Sequence, residues 1–178
     1  MTVGVGQDGA RVFPRKGAPA KGARRGAQGA RFPRRLPTSM LPRNIRRTAM
    51  RFEGGCYCRK VRYVADGEPV LKGQCHCRAC QYIAGGAPNL FMLMPPDGFR
   101  YQQGAPKTFT RDDLAEPVTR AFCEVCGTHL TTRSPLFPEV MLKVGTLDDP
   151  ALYEGPQMAI WTADKQPFHV IPEGVPSY

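Results

Sequence analysis

Seven cysteines fall into three short clusters: Cys56-Tyr57-Cys58, Cys75-His76-Cys77-Arg78-Ala79-Cys80 and Cys123-Glu124-Val125-Cys126. Zinc takes four tetrahedral ligands, with thiolate sulfur at about 2.3 Å. Two pairs of CxC or CxxC spacing, far apart in the chain, can clamp one ion by drawing two segments together. Cys56 and Cys58 supply one pair. Cys123 and Cys126 supply the other, with Gly127 directly after it so that the backbone can turn tightly. Such a closed set has no open coordination position, which implies a structural ion whose binding energy is partly folding energy. Cys75, Cys77 and Cys80 remain, close enough together for three sulfurs to face one ion. Three protein ligands with an exchangeable fourth position describe a working zinc centre. Three sulfurs make it soft and electron-rich, so it should activate a sulfur nucleophile more readily than it polarises water. The expectation is therefore two Zn2+ ions, one structural and one at an active site whose catalytic cluster is Cys75, Cys77 and Cys80. The competing readings of that trio are a second structural site completed by a histidine or an acid, or buried free thiols. Iron also accepts tetrahedral sulfur.

The histidines do not complete the set on sequence grounds. His76 lies between two of the cysteines, and its ring would have to fold back to reach their ion. A proton-transfer group beside the site and an ordinary structural residue are the other readings. His129 falls in an apparent strand and is read as structural; His169 receives no role.

The chain has 178 residues, enough for one domain with a real core, and a formal net charge of +10. That charge invites a nucleic-acid reading, but its distribution weakens it. Residues 1–49 hold twelve Arg or Lys and a single acid, Asp8, whereas residues 50–178 hold thirteen bases and fourteen acids. Any nucleic-acid contact would then run weakly through the basic tail. No stretch is long and apolar enough to cross a membrane, and the N-terminus has no secretory h-region. Paired CxC and CxxC spacings without a secretion signal favour thiolates on metal over disulfides, and so the cytoplasm. A secreted disulfide scaffold would leave one cysteine odd.

Residues 1–49, rich in Gly, Pro, Ala and Arg, have too few apolar side chains to offset the entropy of ordering and are read as a disordered tail. The abrupt change before Met50-Arg51-Phe52 makes that tail a mis-assigned start, a targeting segment or an acidic-surface tether. Residues 50–178 read as a compact, mainly antiparallel β domain of many short strands, stapled by the zinc–cysteine sites. Strands are expected over Lys60–Ala65, Asn89–Met94, Phe99–Gln102, Lys107–Thr110, Thr119–Phe122, His129–Thr132 and Val140–Val144, with Pro95-Pro96 and Pro135 marking ends. Short helical turns are expected near Cys77–Ile83 and Asp148–Leu152.

Several motifs together resemble one known family. Gly55-Cys56-Tyr57-Cys58, Val61-Arg62-Tyr63, the middle cysteine cluster, Phe122-Cys123-Glu124-Val125-Cys126-Gly127 and Val144-Gly145-Thr146-Leu147-Asp148-Asp149 are similar to the glutathione-dependent formaldehyde-activating enzyme family, also called the centromere protein V-like family. Ile160-Trp161 and Gln166-Pro167-Phe168 are similar to its C-terminal part, so the resemblance spans about residues 51–175. It implies a mainly β fold with two zinc ions, held by the same sulfur partition. It also implies carbon–sulfur lyase chemistry that joins formaldehyde to glutathione as S-hydroxymethylglutathione, or the reverse. The partners would be a small thiol such as glutathione and a small aldehyde. Two departures stand out: Arg59 follows the first pair where many members carry glycine, and Gln81-Tyr82 follows the middle cluster where many carry two bases. Gln74, Arg78 and Trp161 are the candidate contacts for the thiol, with Asn89 beside them; local hydrogen bonding, solvation or core packing is the competing role for each. Because thiols add to formaldehyde readily by themselves, a non-catalytic zinc-binding scaffold or thiol-adduct-binding protein is the alternative function.

Overall fold

The computed structural model describes residues 50–178, and the expectations placed on residues 1–49 lie outside the described residues. Strands β1 (Arg51–Gly55), β2 (Arg62–Asp66) and β5 (Phe99–Gln103) form a three-stranded antiparallel sheet in the order β1-β2-β5. Strands β3 (Leu71–Cys75), β4 (Asn89–Met94), β6 (Lys107–Thr110), β7 (Thr119–Phe122), β8 (His129–Ser134), β9 (Phe137–Lys143) and β10 (Met158–Ile160) form a seven-stranded sheet in the order β10-β3-β4-β9-β8-β7-β6. One short helix, α1 (Arg78–Ile83), follows β3, and a 3₁₀ turn covers Pro150–Tyr153.

The domain is mainly β, as its many short alternating segments imply, but the larger sheet is mixed rather than purely antiparallel. Strand β10 runs parallel to β3, with Met158 opposite Gly73 and Ile160 opposite Cys75. A parallel neighbour needs a long crossover, and here everything from α1 onward intervenes before the chain returns. Three residues are too few to show a period, so this edge strand left no pattern in the sequence. Strands β1 and β3 were also silent, because each contains glycine. In β3 the glycine has a steric reason: a Cβ on Gly73 would lie 2.6 Å from the Phe91 ring across the ladder.

Alternation along β4 sends side chains to both faces of the larger sheet. Met92 and Met94 point into a core shared with Phe52, Tyr63 and Ala65 of the smaller sheet and with Leu130, Leu142 and Val144. Phe91 and Leu93 point the other way, into a smaller cluster with Leu71, Met141, Phe137 and Ile160. Each apolar cluster ends in sulfur. Cys56 and Cys123 belong to the first, with Cys58 and Cys126 packed against it; Cys75 and Cys80 belong to the second, with Cys77 beside it.

Polar contacts fasten the first core at its edge. The Tyr63 hydroxyl donates to Thr146 Oγ1 (2.8 Å), which in turn donates to the Lys143 carbonyl (2.7 Å). Both guanidinium nitrogens of Arg62 meet the Asp148 carboxylate. Gly54 bridges to Leu147, and a Cβ there would lie 2.2 Å from the Thr146 carbonyl oxygen. The Val61-Arg62-Tyr63 and Val144–Asp149 stretches, distant in sequence, therefore pack on one another. Leu142 is fully buried at the centre of this core. Leu142→Ala is expected to cost about 2–5 kcal/mol of unfolding free energy in urea titration, whereas Leu136→Ala, at an exposed hairpin position, should change it by less than about 0.5 kcal/mol.

Candidate metal centre

The first sulfur group is built by two chain reversals. After β1 the chain turns through Cys56-Tyr57-Cys58, with the Arg59 amide donating to the Cys56 carbonyl (2.9 Å) and the Cys56 amide to the Val61 carbonyl (3.0 Å). After β7 it turns through Cys123–Cys126, with the Gly127 amide donating to the Cys123 carbonyl (2.8 Å) and the Cys123 amide to the Thr128 carbonyl (2.9 Å). The Tyr57 amide donates to Thr128 Oγ1 (3.2 Å) and holds the two turns together. Both turns need a left-handed residue after the second cysteine. Gly127 has φ +72° and meets that need without strain, while Arg59 adopts φ +62° with a side chain attached.

The four Sγ atoms of Cys56, Cys58, Cys123 and Cys126 all lie within 4.8 Å of one another. Sulfur separations of 3.5 Å (Cys56–Cys58) and 3.7 Å (Cys58–Cys123) compare well with the edge of about 3.8 Å that a tetrahedron of sulfurs around zinc would have. The surroundings favour ionised sulfur at Cys56 and Cys126, while at Cys58 beside them the opposing Lys60 amide is outweighed by burial and by the cysteine neighbours, which push it up to about 11. The Thr128 hydroxyl and amide bring Cys126 down to about 5. Cys56 is lowered too: its burial opposes ionisation, but the Val61 amide donating to its sulfur (3.2 Å) together with hydrogen bonds from Cys58 and Cys123 outweighs that.

The second group forms where β3 passes into α1. Cys75 ends β3, Cys77 caps α1 and accepts the Cys80 amide on its sulfur (3.4 Å), and Cys80 lies in the first turn. Their three Sγ atoms also lie within 4.8 Å of one another. Cys77 is pulled well below the ordinary thiol range by hydrogen bonds from the Cys75 and Cys80 thiols, and the same bond to Cys77 pushes Cys75 up. Among the described residues no further Cys, His, Asp or Glu joins this trio. Cys75 and Cys80 are buried and Cys77 is the more open corner.

His76 is fully buried, and both its ring nitrogens are engaged elsewhere. The His169 Nδ1 accepts the Gln166 amide (3.3 Å), and its Nε2 donates to the Gly86 carbonyl (2.7 Å). That pattern makes His76 Nδ1 the donor to His169 Nδ1 (3.0 Å) and leaves His76 Nε2 to accept from Gln74 Nε2 (2.9 Å). The Gln74 amide also donates to the Val170 carbonyl (3.0 Å). Gln74 and His76 thus sit on the opposite side of the chain from Cys75. Gln81 ties the same region together, donating to the carbonyls of His76 (2.6 Å) and Asp164 (2.9 Å). The bracing roles of His169, Gln81 and Asp164 could not be read from the sequence, because they depend on partners far along the chain.

The remaining candidates sit around this network, and Arg78 touches it through Gln81 and Asp164. Arg78 is exposed, hydrogen-bonded to Gln81 and stacked on Tyr82 with 5.3 Å to the ring centre. Trp161 directly follows the residue that pairs with Cys75; it has φ +57° and leaves 63% of its surface exposed. Asn89 is buried directly opposite Cys75 on β4. His129 is half-buried, with its ring near Phe122.

Residues 51–164 match the protein family described as glutathione-dependent formaldehyde-activating enzyme. Among solved structures, a crystal structure of a Rhodobacter sphaeroides protein is similar at 20% identity, covering 54% of this chain and 87% of that one, with a TM-score of 0.40. No curated protein matches the sequence significantly. The turn geometry gives a direct test. Gly127→Ala should lower stability by about 1–2 kcal/mol, the left-handed penalty. Arg59→Gly, which removes that penalty, should leave stability unchanged or raise it by up to about 1 kcal/mol in denaturant titrations of metal-loaded protein.

Proposed function

The chain belongs to the glutathione-dependent formaldehyde-activating enzyme family, and on that premise we propose that its three-sulfur cluster is the place where a glutathione thiol meets formaldehyde. Family membership supports a carbon–sulfur lyase-type activity on the glutathione–formaldehyde adduct. The C–S bond forms as the carbonyl π bond opens, and the thiol's proton ends on the new hydroxyl. The reverse step breaks the same bond and returns both.

The observation that carries the proposal is the difference between the two sulfur groups: four sulfurs gathered at the edge of the main core, three in the smaller cluster on the opposite face of β4. In this reading Cys56, Cys58, Cys123 and Cys126 hold a structural zinc, and Cys75, Cys77 and Cys80 hold a second one at the reaction site. The fit rests on sulfur spacing, on at least one low-lying thiol in each group (Cys56 and Cys126 in the first, Cys77 in the second) and on the absence of a fourth ligating side chain beside the trio among the described residues. When bound there, zinc supplies positive charge that favours the ionised form of a nearby thiol.

The chain's own residues do the rest. The Cys80 amide fixes the Cys77 sulfur, and α1 holds Cys77 and Cys80 in one turn. The Gln74–His76–His169 chain and the Gln81 bridges lock the loop that carries all three sulfurs. With both its nitrogens used, His76 acts as a brace and not as an acid or base. Of the candidate thiol contacts, Trp161 and Arg78 are exposed and can flank an incoming peptide-like thiol, Arg78 from its contacts with Gln81 and Tyr82, whereas the Gln74 amide is buried in the brace. The domain of residues 50–178 carries this chemistry, and a reducing compartment such as the cytoplasm keeps its thiols available.

Stopped-flow formation of S-hydroxymethylglutathione tests the proposal. Metal-loaded wild-type protein should accelerate adduct formation above the spontaneous rate, and Cys77→Ala at equal four-sulfur metal content should lose at least about tenfold of that acceleration. Equal rates for the two proteins would contradict it.

A further inference from the structure

A cleft of about 460 Å³ runs from the turn that carries Cys126 to the end of α1 and the start of β4. Ile83 and Ala84 at the end of α1, Asn89 at the start of β4, the Cys126-Gly127-Thr128 turn and Lys143 with Gly145 all contribute to its wall. Three of the polar residues there are unmatched. Lys143 is 6% exposed, and among the described residues its ammonium has no carboxylate partner; its hydrogen-bonding contact is the Met141 sulfur at 3.8 Å. Asn89, also 6% exposed, has an amide nitrogen with no partner, and the buried Nδ1 of His129 has none either.

Burying an ammonium without a counter-ion is costly, and cores avoid it unless an anion is supplied. The cost shows in Lys143 itself, which burial lowers to about 8. The position also matters. Asn89 is opposite Cys75 on the neighbouring strand, and Lys143 is opposite Phe91, one pair further along the same face of the sheet. Ionised Cys80, Cys75 and Cys77 offset the cost at Lys143 only in part, and burial still prevails. An anionic group in the cleft would therefore belong to a molecule whose other end reaches the three-sulfur cluster.

We propose that this cleft recognises a carboxylate of the thiol substrate, with Lys143 as the pairing cation and Asn89 and His129 as flanking hydrogen-bond partners. The proposal rests on the three-sulfur cluster being the thiol site. It makes Lys143 a specificity residue that selects acidic thiols over neutral ones. A lone lysine inside the apolar run Val140-Met141-Leu142-Lys143-Val144 is the sequence signal that marks it.

Calorimetric titration of the full-length, zinc-loaded protein tests this with four probes: glutathione, its diethyl ester, S-methylglutathione and the diethyl ester of S-methylglutathione. Wild-type protein should bind each free acid about ten- to a hundredfold more tightly than its ester, the range for a charge-assisted contact. Lys143→Met should erase that ratio by weakening the acids alone, Lys143→Arg should keep part of it, and Asn89→Leu should reduce it. An unchanged ratio in Lys143→Met and Asn89→Leu, or equal weakening of acid and ester, overturns the proposal. The capped probes separate it from the reading it rests on. If Cys77 proves irrelevant to adduct formation while S-methylglutathione still shows a Lys143-dependent preference over its ester, the cleft assignment stands and the thiol site fails. If Cys77 matters and the acid preference ignores Lys143, the reverse holds.

Discussion

Burial of β4 on both faces is the constraint on which the rest of this domain depends. Met92 and Met94 commit one face to the core against the smaller sheet, and Phe91 and Leu93 commit the other to the cluster under α1. A strand buried on both sides cannot shift its register by one residue without exchanging the two sets. Its partners β3 and β9 inherit that fixed register, and with it the positions of Cys75, Asn89 and Lys143. The two sulfur groups are then held at separate places relative to one sheet, and the cleft lined by Asn89, Lys143 and the Cys126–Thr128 turn follows from the same geometry.

The division of labour proposed for the sulfur groups rests on what surrounds them. The four-sulfur group joins the turn after β1 to the turn after β7, so it links the smaller sheet to the larger one at the end of their shared core. The three-sulfur group instead sits within one short stretch of chain and is braced from behind by hydrogen bonds to the C-terminal segment. With a metal bound, the first arrangement would restrain the fold and the second would present sulfur from a supported loop. The Arg59 backbone also accounts for a departure from the family pattern. A left-handed residue is required there, glycine would supply it freely, and this chain carries the conformation with an arginine.

Much of this was legible in the sequence because it is local. The grouping of the cysteines, the turn-forming Gly127, the helical turn at Cys77 and strands such as Asn89–Met94 and Lys107–Thr110 all follow from spacing, alternation or capping within a few residues. What was not legible depends on distant partners. Strand β10 is three residues long and is held by its parallel pairing to β3. The role of His76 is set by His169, ninety-three positions later in the chain. Strand β3 was hidden by Gly73, whose missing side chain makes room for Phe91. Lys143 looked like one more charged residue until its strand proved to be interior.

The central claim is that one sulfur group is complete and the other leaves room for an incoming sulfur. X-ray absorption at the zinc edge, on protein of known metal content with and without glutathione, tests it most directly. The account predicts two zinc ions per chain and the replacement of a light oxygen or nitrogen scatterer by sulfur at about 2.3 Å when glutathione is added. A single ion per chain, or a zinc environment that glutathione leaves unchanged, would contradict it.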